Sequence, residues 1–516
     1  MAFDATQLAP QNILGPDGEE PDPNTLPVGY VYKPRSVPSL YVVEYQSGPG
    51  SARVWSRIPG FSPFSVLVNP VFYVDPVSGN DSNAGTISAP FATVDHAIQE
   101  LAPGWFGVAK IIPRAGTSTL GTSTVWPTPL GGSNATAGAL LIDGIDSTDS
   151  GLGARTSAGG TTGSISAAPT FGTVVDSVGG LVVNAYRGQF IRFTSGATLN
   201  GRSFQVAANT ANTFTVCGTL PVAPTTETFV VERPAAVFSW SGVQSMQAMG
   251  VVGFQNIQFT GPGGSNTLRI SGGIWGLQRC RFASVGTGGI ALRNNAQLTD
   301  LAALASYLGG LSIAQQCGSF FNGTPISMNL SLASGMSPAG ATFTRNLFVD
   351  SNFQVFGPQN VQFTSSYFTG NSYLRFAYRS ALLLAGNIHD TVTPAPAAPS
   401  VIVGAFGAAV VAAKGATLAI SNSNISNTPA SGTNGDAIFV EDGSNADVST
   451  VAGSGNAGLG CRVARASVLR CNTANTVTGS GGDYKLGDNA VGLWGDFVSG
   501  SKITDLVQLC FGSHHT

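Results

Sequence analysis

Asp350 and Asp390 lie among Arg375, Arg379, His389, Tyr367, Tyr373 and Tyr378 in a sequence otherwise poor in charge. A pair of carboxyl groups can break a glycosidic bond, one as acid and one as base or nucleophile. A base beside a cation can instead take a proton and hold an enolate-like intermediate. Tyrosine rings offer flat faces on which sugars stack. In a chain coiling about every twenty residues the two aspartates stand two coils apart, roughly 10 Å if aligned, which suits an inverting pair. Asp350, Asp390, His389 and Arg379 are then the catalytic candidates, and Tyr367, Tyr373, Tyr378 and Arg375 the glycan-binding ones. Asp436, Glu441, Asp442 and Arg465 form a second charged group. All of these residues also suit solvated turns.

The elements that must position such groups repeat along the chain. Phe254-Gln255-Asn256-Ile257-Gln258-Phe259 realigns on Leu277 to Phe282, 23 positions on. Phe343 to Phe348 realigns on Phe363 to Phe368, and that on Leu383 to Ile388, each 20 on. Val440 to Ser444 realigns on Val463 to Ser467, again 23 on. A fixed period near twenty is the mark of a solenoid. Apolar residues alternate with polar ones within each repeat, so one face of every strand turns inward. Ile257, Phe259, Cys280, Phe282, Leu347, Phe348, Phe363 and Phe368 are the expected stacked interior. Gln297 to Leu311 carries leucines at helical spacing and predicts a short helix between coils. The Pro-Ala loop 391–400 interrupts the repeat beside the candidate site.

The stretch Phe72 to Ile98 predicts a cover for the open end of such a solenoid. A strand at Val71–Val74 breaks into polar turns, and Phe91, Val94, Ile98 and Leu101 then recur at helical spacing. In order it contains Tyr73-Val74-Asp75, Gly79-Asn80-Asp81, Gly85-Thr86, Pro90-Phe91 and Ala97-Ile98. These residues resemble the opening of right-handed parallel β-helix proteins of the pectate-lyase-like superfamily. The resemblance implies an all-β right-handed solenoid with a capping helix. It implies no single activity, because that superfamily holds lyases, hydrolases, adhesins and inert virion parts.

Composition agrees with stacked coils. Charged residues make up 10% of the 516, hydrophobic ones 43%, and Gly numbers 67; a usual charged share is about 25%. The formal net charge of −3 and the lack of a basic run argue against nucleic-acid binding. No segment reaches the roughly 18 consecutive apolar residues of a membrane span. The first residues, MAFDATQLAP, show neither a basic nor an apolar leader region, so no Sec signal peptide is expected. The six cysteines form no C-x-x-C pair and the four histidines are scattered, so no metal and no cofactor are expected. Asp75, Asn80 and Asp81 fit Asx-turns better than a calcium loop.

Five regions are expected. Residues 1–70 form a Pro-rich arm with short strands near 30–32, 40–45 and 53–58. Tyr30, Tyr32, Tyr41 and Trp55 are its candidate anchors on a partner. Residues 71–180 hold the cap and first coils, 235–490 the main β-helix, and 491–516 a terminal cap or oligomer contact. Between them, 181–234 alternates at hairpin period, with turns at Thr194-Ser195-Gly196, Gly201-Arg202 and Asn209 to Thr213. That insert resembles small β-barrels of phage tail and spike proteins. Together the features resemble bacteriophage tailspike or spike proteins. The resemblance implies a homotrimer on the virion, joined to other virion proteins through residues 1–70, with a shaft facing host surface polysaccharide. Scarce acids and histidines favour a shaft that binds glycan without cutting; a depolymerase (hydrolase or lyase) is the alternative. A secreted bacterial pectate-lyase-like enzyme is a third alternative.

Overall fold

In the computed structural model the described residues are most of 67–301 and 319–504, with four strands before residue 58. Larger breaks at 131–137, 164–170, 262–266, 284–288, 302–318, 330–339, 391–407, 429–434 and 495–502 lie outside them, as do the last twelve residues.

Three parallel sheets run the length of the chain. Sheet 1 begins at Val71–Val74 and ends at Val491–Trp494. Sheet 2 runs from Gly116–Thr119 to Thr476–Gly479, and sheet 3 from Ser123–Trp126 to Ile503–Thr504. The chain visits them in the order 1, 2, 3, 1, as in Val251–Gln255, Ile257–Thr260, Thr267–Ser271 and Ile274–Gln278. This is a parallel β-helix. Crossovers between parallel strands make it right-handed.

The register explains the core. Phe254 pairs with Leu277 and Phe259 with Phe282, as the 23-residue repeat predicts. Equivalent side chains therefore stack: Phe259 on Phe282 at 4.6 Å and Phe348 on Phe368 at 4.8 Å between ring centroids. Corners are held by buried polar ladders. The Cys280 N–H donates to Ser319 Oγ, the Ser319 N–H to Asn346 Oδ1, and the Asn346 N–H to Ser366 Oγ. Without such acceptors each buried N–H would cost about 1–3 kcal/mol. Cys280 is wholly buried, and burial pushes its thiol up to about 12, so it is a packing residue.

Several expectations are corrected. Phe363 pairs with Leu384, not Leu383, because this coil is one residue longer than the one before. One residue of slip exchanges inside for outside: Leu382 is buried and Leu383 partly exposed. Gln297–Asp300 is a strand of sheet 1 rather than the start of a helix. Leu298 faces the core, while Leu301 packs on the outer face of the same sheet with Leu141 and Val251. Gly253 leaves the room, since a Cβ there would meet the Leu301 side chain. The barrel starts upstream of 181. Ser147–Asp149, Arg155–Thr161 and Phe171–Asp176 join its antiparallel sheet, which closes through Phe190–Phe193 and Thr228–Pro234. Gly, Ser and Thr dominate those three strands and hid their alternation.

The barrel has its own core of Ile191, Phe193, Phe214, Phe229 and others. Its outer face covers sheet 2: Ala207 and Cys217 pack with Leu347, Val349 and Tyr367. Leu347 is therefore buried against the barrel, not in the stacked interior, and Tyr367 is only 7% exposed. At the barrel's base Glu232 pairs with its neighbour Arg192 at 3.0 Å and with Arg279 of the shaft at 2.9 Å.

The N-terminal end is closed as expected. Phe91 bridges the edge strand at Val74, and Gly85 accepts a hydrogen bond from the Tyr73 N–H. Helix Val94–Leu101 buries Val94, Ala97, Ile98 and Leu101 in the shaft core. Thr93 caps it, with its hydroxyl accepting from the His96 N–H. Asp81 grips the Ala92 and Thr93 N–H groups and the Thr93 hydroxyl. Asp75 is held below its ordinary 3.8 by the Ser78 hydroxyl and N–H. Burial pushes Asp81 up, but its Thr93 and Ala92 donors outweigh that and leave it lowered. A carboxylate with a depressed folded pKa contributes stability above its unfolded value that is lost as pH falls through the folded one. The cap is therefore expected to loosen below pH 3.8, ahead of the apolar shaft. Amide exchange of Val77, Ser78, Ala92 and Thr93 against that of Phe254 checks this; simultaneous loss of protection would count against it.

Candidate functional site

The left-handed backbone picks out one corner. Where sheet 3 turns into sheet 1, four successive coils place Tyr378, Lys414, Asp442 and Arg465 at equivalent positions, as the strand register before them fixes. Their φ angles are 58°, 53°, 54° and 53°. A left-handed conformation costs an ordinary L-residue roughly 1–2 kcal/mol, and glycine almost nothing. At the next corner round, between sheets 1 and 2, Asn256, Arg279, Asn422 and Thr450 fill such positions, and of these asparagine tolerates them best. In the Tyr378 column all four residues are bulky or charged. At about 4.8 Å per coil the column is roughly 14 Å long.

Its side chains interlock. Lys414 Nζ lies 4.4 Å from the centre of the Tyr378 ring and donates to its hydroxyl at 2.6 Å. The ring is half exposed and meets Phe356 at 6.2 Å. Arg375, three residues before Tyr378, lies 5.7 Å from the centre of the Phe356 ring. Arg465 Nη1 donates to Glu441 at 2.9 Å and to Asp442 at 3.2 Å. Glu441 is 1% exposed. Burial pushes its carboxyl up from the ordinary 4.5 and Asp442 adds to the rise, against Arg465, Arg375 and Lys414. Asp436 lies away from this corner, at the start of a sheet 3 strand, where it pairs with Arg462 at 2.8 Å. Burial pushes it up too, opposed by the Leu459 N–H and Arg462.

Of the expected catalytic group, Arg379 does not stand with His389 and Asp390. Arg379 is in the corner with Tyr378, in the turn before sheet 1. His389 and Asp390 end a sheet 2 strand, level with Phe368 and Thr369. The whole sheet 1 strand Ala381–Ala385 separates them from Arg379. Asp350, Tyr373 and loop 391–400 lie outside the described residues, as does Tyr30. Tyr367 is beneath the barrel and offers no face to a sugar. What the structure does assemble is part of each sequence cluster: Arg375, Tyr378 and Arg379 from the first, Glu441, Asp442 and Arg465 from the second. In the arm, Tyr32 stands opposite Tyr41, and Trp55 opposite Val43.

No protein-family model and no curated protein matches the sequence. Among solved structures it is similar to a glycoside hydrolase at 9% identity, over 84% of this chain and 97% of that one, with a TM-score of 0.32. It is also similar to the tailspike protein gp49 from Pseudomonas phage LKA1 at 11% identity, over 77% and 70% of the two chains, with a TM-score of 0.28. A further similar structure is the Gp54 tailspike of Acinetobacter baumannii bacteriophage AP22, solved with a capsular saccharide. Its identity is 10%, over 79% and 73%, with a TM-score of 0.26. Likenesses this loose transfer no residue and no activity.

Sequence reasoning missed Lys414 and Phe356. The signal for Lys414 was present: Ala412 to Ala416 continues the series of Val440 to Ser444 and Val463 to Ser467. The step to it is 28 residues rather than 23, because Ala412 pairs with Val440. Among the described residues no group of three metal-ligating side chains occurs.

Proposed function

We propose that this chain is the shaft of an attachment spike that binds surface polysaccharide at the Tyr378–Lys414–Asp442–Arg465 corner without cutting it. The observation that carries the proposal is the stack of bulky left-handed residues where glycine would cost nothing. Strain of this kind marks sites where the side chain is needed for itself. An exposed ring, cations and one accessible carboxylate suit sugar hydroxyls and ring faces. Hydrolysis needs two carboxyl groups at the scissile bond. Here Glu441 is buried and held by Arg465, which leaves Asp442 alone. The arm, residues 1–70, joins the shaft to a virion, and three copies assemble together.

A depolymerase is the second reading, favoured by the raised Glu441 beside Asp442. Incubation with bacterial capsule or lipopolysaccharide decides between them. Retention of polysaccharide on immobilised protein with no new reducing ends or unsaturated uronates is expected. New chain ends that vanish in Glu441→Gln would establish the enzyme. Deleting residues 1–70 is expected to leave a folded shaft that still binds glycan but no longer joins particles. Normal assembly of the truncated protein would remove the arm's role.

A further inference from the structure

Two exposed cations stand on adjacent coils of this corner. Lys414 is fixed over the Tyr378 ring. Arg379, in the coil before, donates its backbone N–H to the Lys414 carbonyl at 3.3 Å. Its side-chain stem runs beside Gly415: a Cβ there would stand 3.8 Å from Arg379 Cγ. Both residues are held left-handed, at φ 53° and 66°. Among the described residues neither is in an ion pair; the nearby Asp442 carboxylate goes to Arg465 instead. An exposed ammonium held at a ring is still a strong donor to anions. Buried Glu441 attracts Lys414; an anionic ligand would complete the exposed side of these two cations, which the strained backbone fixes.

We propose that the Tyr378–Arg379–Lys414 turn selects an acidic sugar, one bearing a carboxylate or ester anion, and places that anion between Lys414 and Arg379. The sugar face lies along the free side of Tyr378. This rests on the corner being the glycan site. Asp442, one coil further on, accepts a hydroxyl of the neighbouring sugar and repels an anion there. Acidic residues are therefore admitted at the Lys414 level and not at the next, which matches a polysaccharide with acidic and neutral sugars in alternation.

The test uses the full chain and three probes: an acidic polysaccharide of alternating uronate and neutral sugar, its carboxyl-reduced form, and dextran sulfate. Binding of the first is expected to fall at least tenfold on carboxyl reduction and at least tenfold in Lys414→Gln or Arg379→Gln. It should also weaken with added salt. Melting temperature should stay unchanged in both variants, since both side chains are exposed. If the reduced polymer binds as well as the acidic one, the acidic-sugar selectivity is wrong while the glycan corner stands. If neither polymer binds, or the variants bind like the parent, the corner itself fails. Dextran sulfate binding that equals the uronate polymer and is untouched by the variants would mean general ion exchange and overturn the proposal.

Discussion

Ile257→Asp is expected to cost the shaft several kcal/mol, on the order of 4 or more, because it buries an unpaired carboxylate. Ile257 is fully buried, in register with Ala236 and in the continuous core with Phe238, Phe254 and Phe259. Its neighbours in that core are apolar side chains. The carboxyl must therefore ionise at great cost or stay protonated well above its ordinary pKa. Coils contact only their neighbours, so damage should be local first. Amides from Ala236 to Phe282 should lose exchange protection before those of the C-terminal coils. The melting temperature should fall with it. Ile257→Val, by contrast, should cost only about 1 kcal/mol. An unchanged melting temperature in Ile257→Asp would mean that the side chain points out of the shaft.

How much of this was legible in the sequence depended on the uniformity of coil length. Where coils repeat at one length, Phe254 finds Leu277 and Phe348 finds Phe368, and the sequence shows both register and interior. Where a coil gains one residue, as between Phe363 and Leu384, the fixed period places Leu383 inside and is wrong by one face. The cap was legible because its polar turns, helix spacing and edge strand are all local. The site was not, because its members are 23, 28 and 36 residues apart and come from coils of unequal length. Arg379 is close to Asp390 in the sequence, but it follows a sheet 3 strand whereas Asp390 ends a sheet 2 strand. Nor could the alternation at Leu347 and Tyr367 show that both faces of sheet 2 are covered, since the barrel that covers them lies more than a hundred residues earlier.

Glu232→Leu alone is expected to cost about 3–5 kcal/mol, since removing one partner of a buried ion pair strands the other charge. Glu232 and Arg279 have side chains only 6% and 10% exposed and pair at 2.9 Å. The Arg279 guanidinium also lies 4.8 Å from the centre of the Phe190 ring, so its stem and plane are fixed by the barrel. Arg192, at 40% exposure, shares the carboxylate but is solvated enough to lose little. The cost should therefore appear at the seam between barrel and shaft, not inside either core. Trypsin should cut near Arg279 and Arg281 faster, while the separate apolar core of the barrel keeps its protection. Glu232→Leu combined with Arg279→Met should recover most of the loss, because well-packed apolar pairs commonly replace buried ion pairs without penalty. Tyr367 then reports the outcome optically. It is buried only where the barrel covers sheet 2, so undocking in the single variant should expose it to quenchers and the double variant should bury it again. If the single variant keeps Tyr367 buried and melts like the parent, the apolar contacts of Ala207 and Cys217 hold the barrel alone, and the ion pair sets only its orientation.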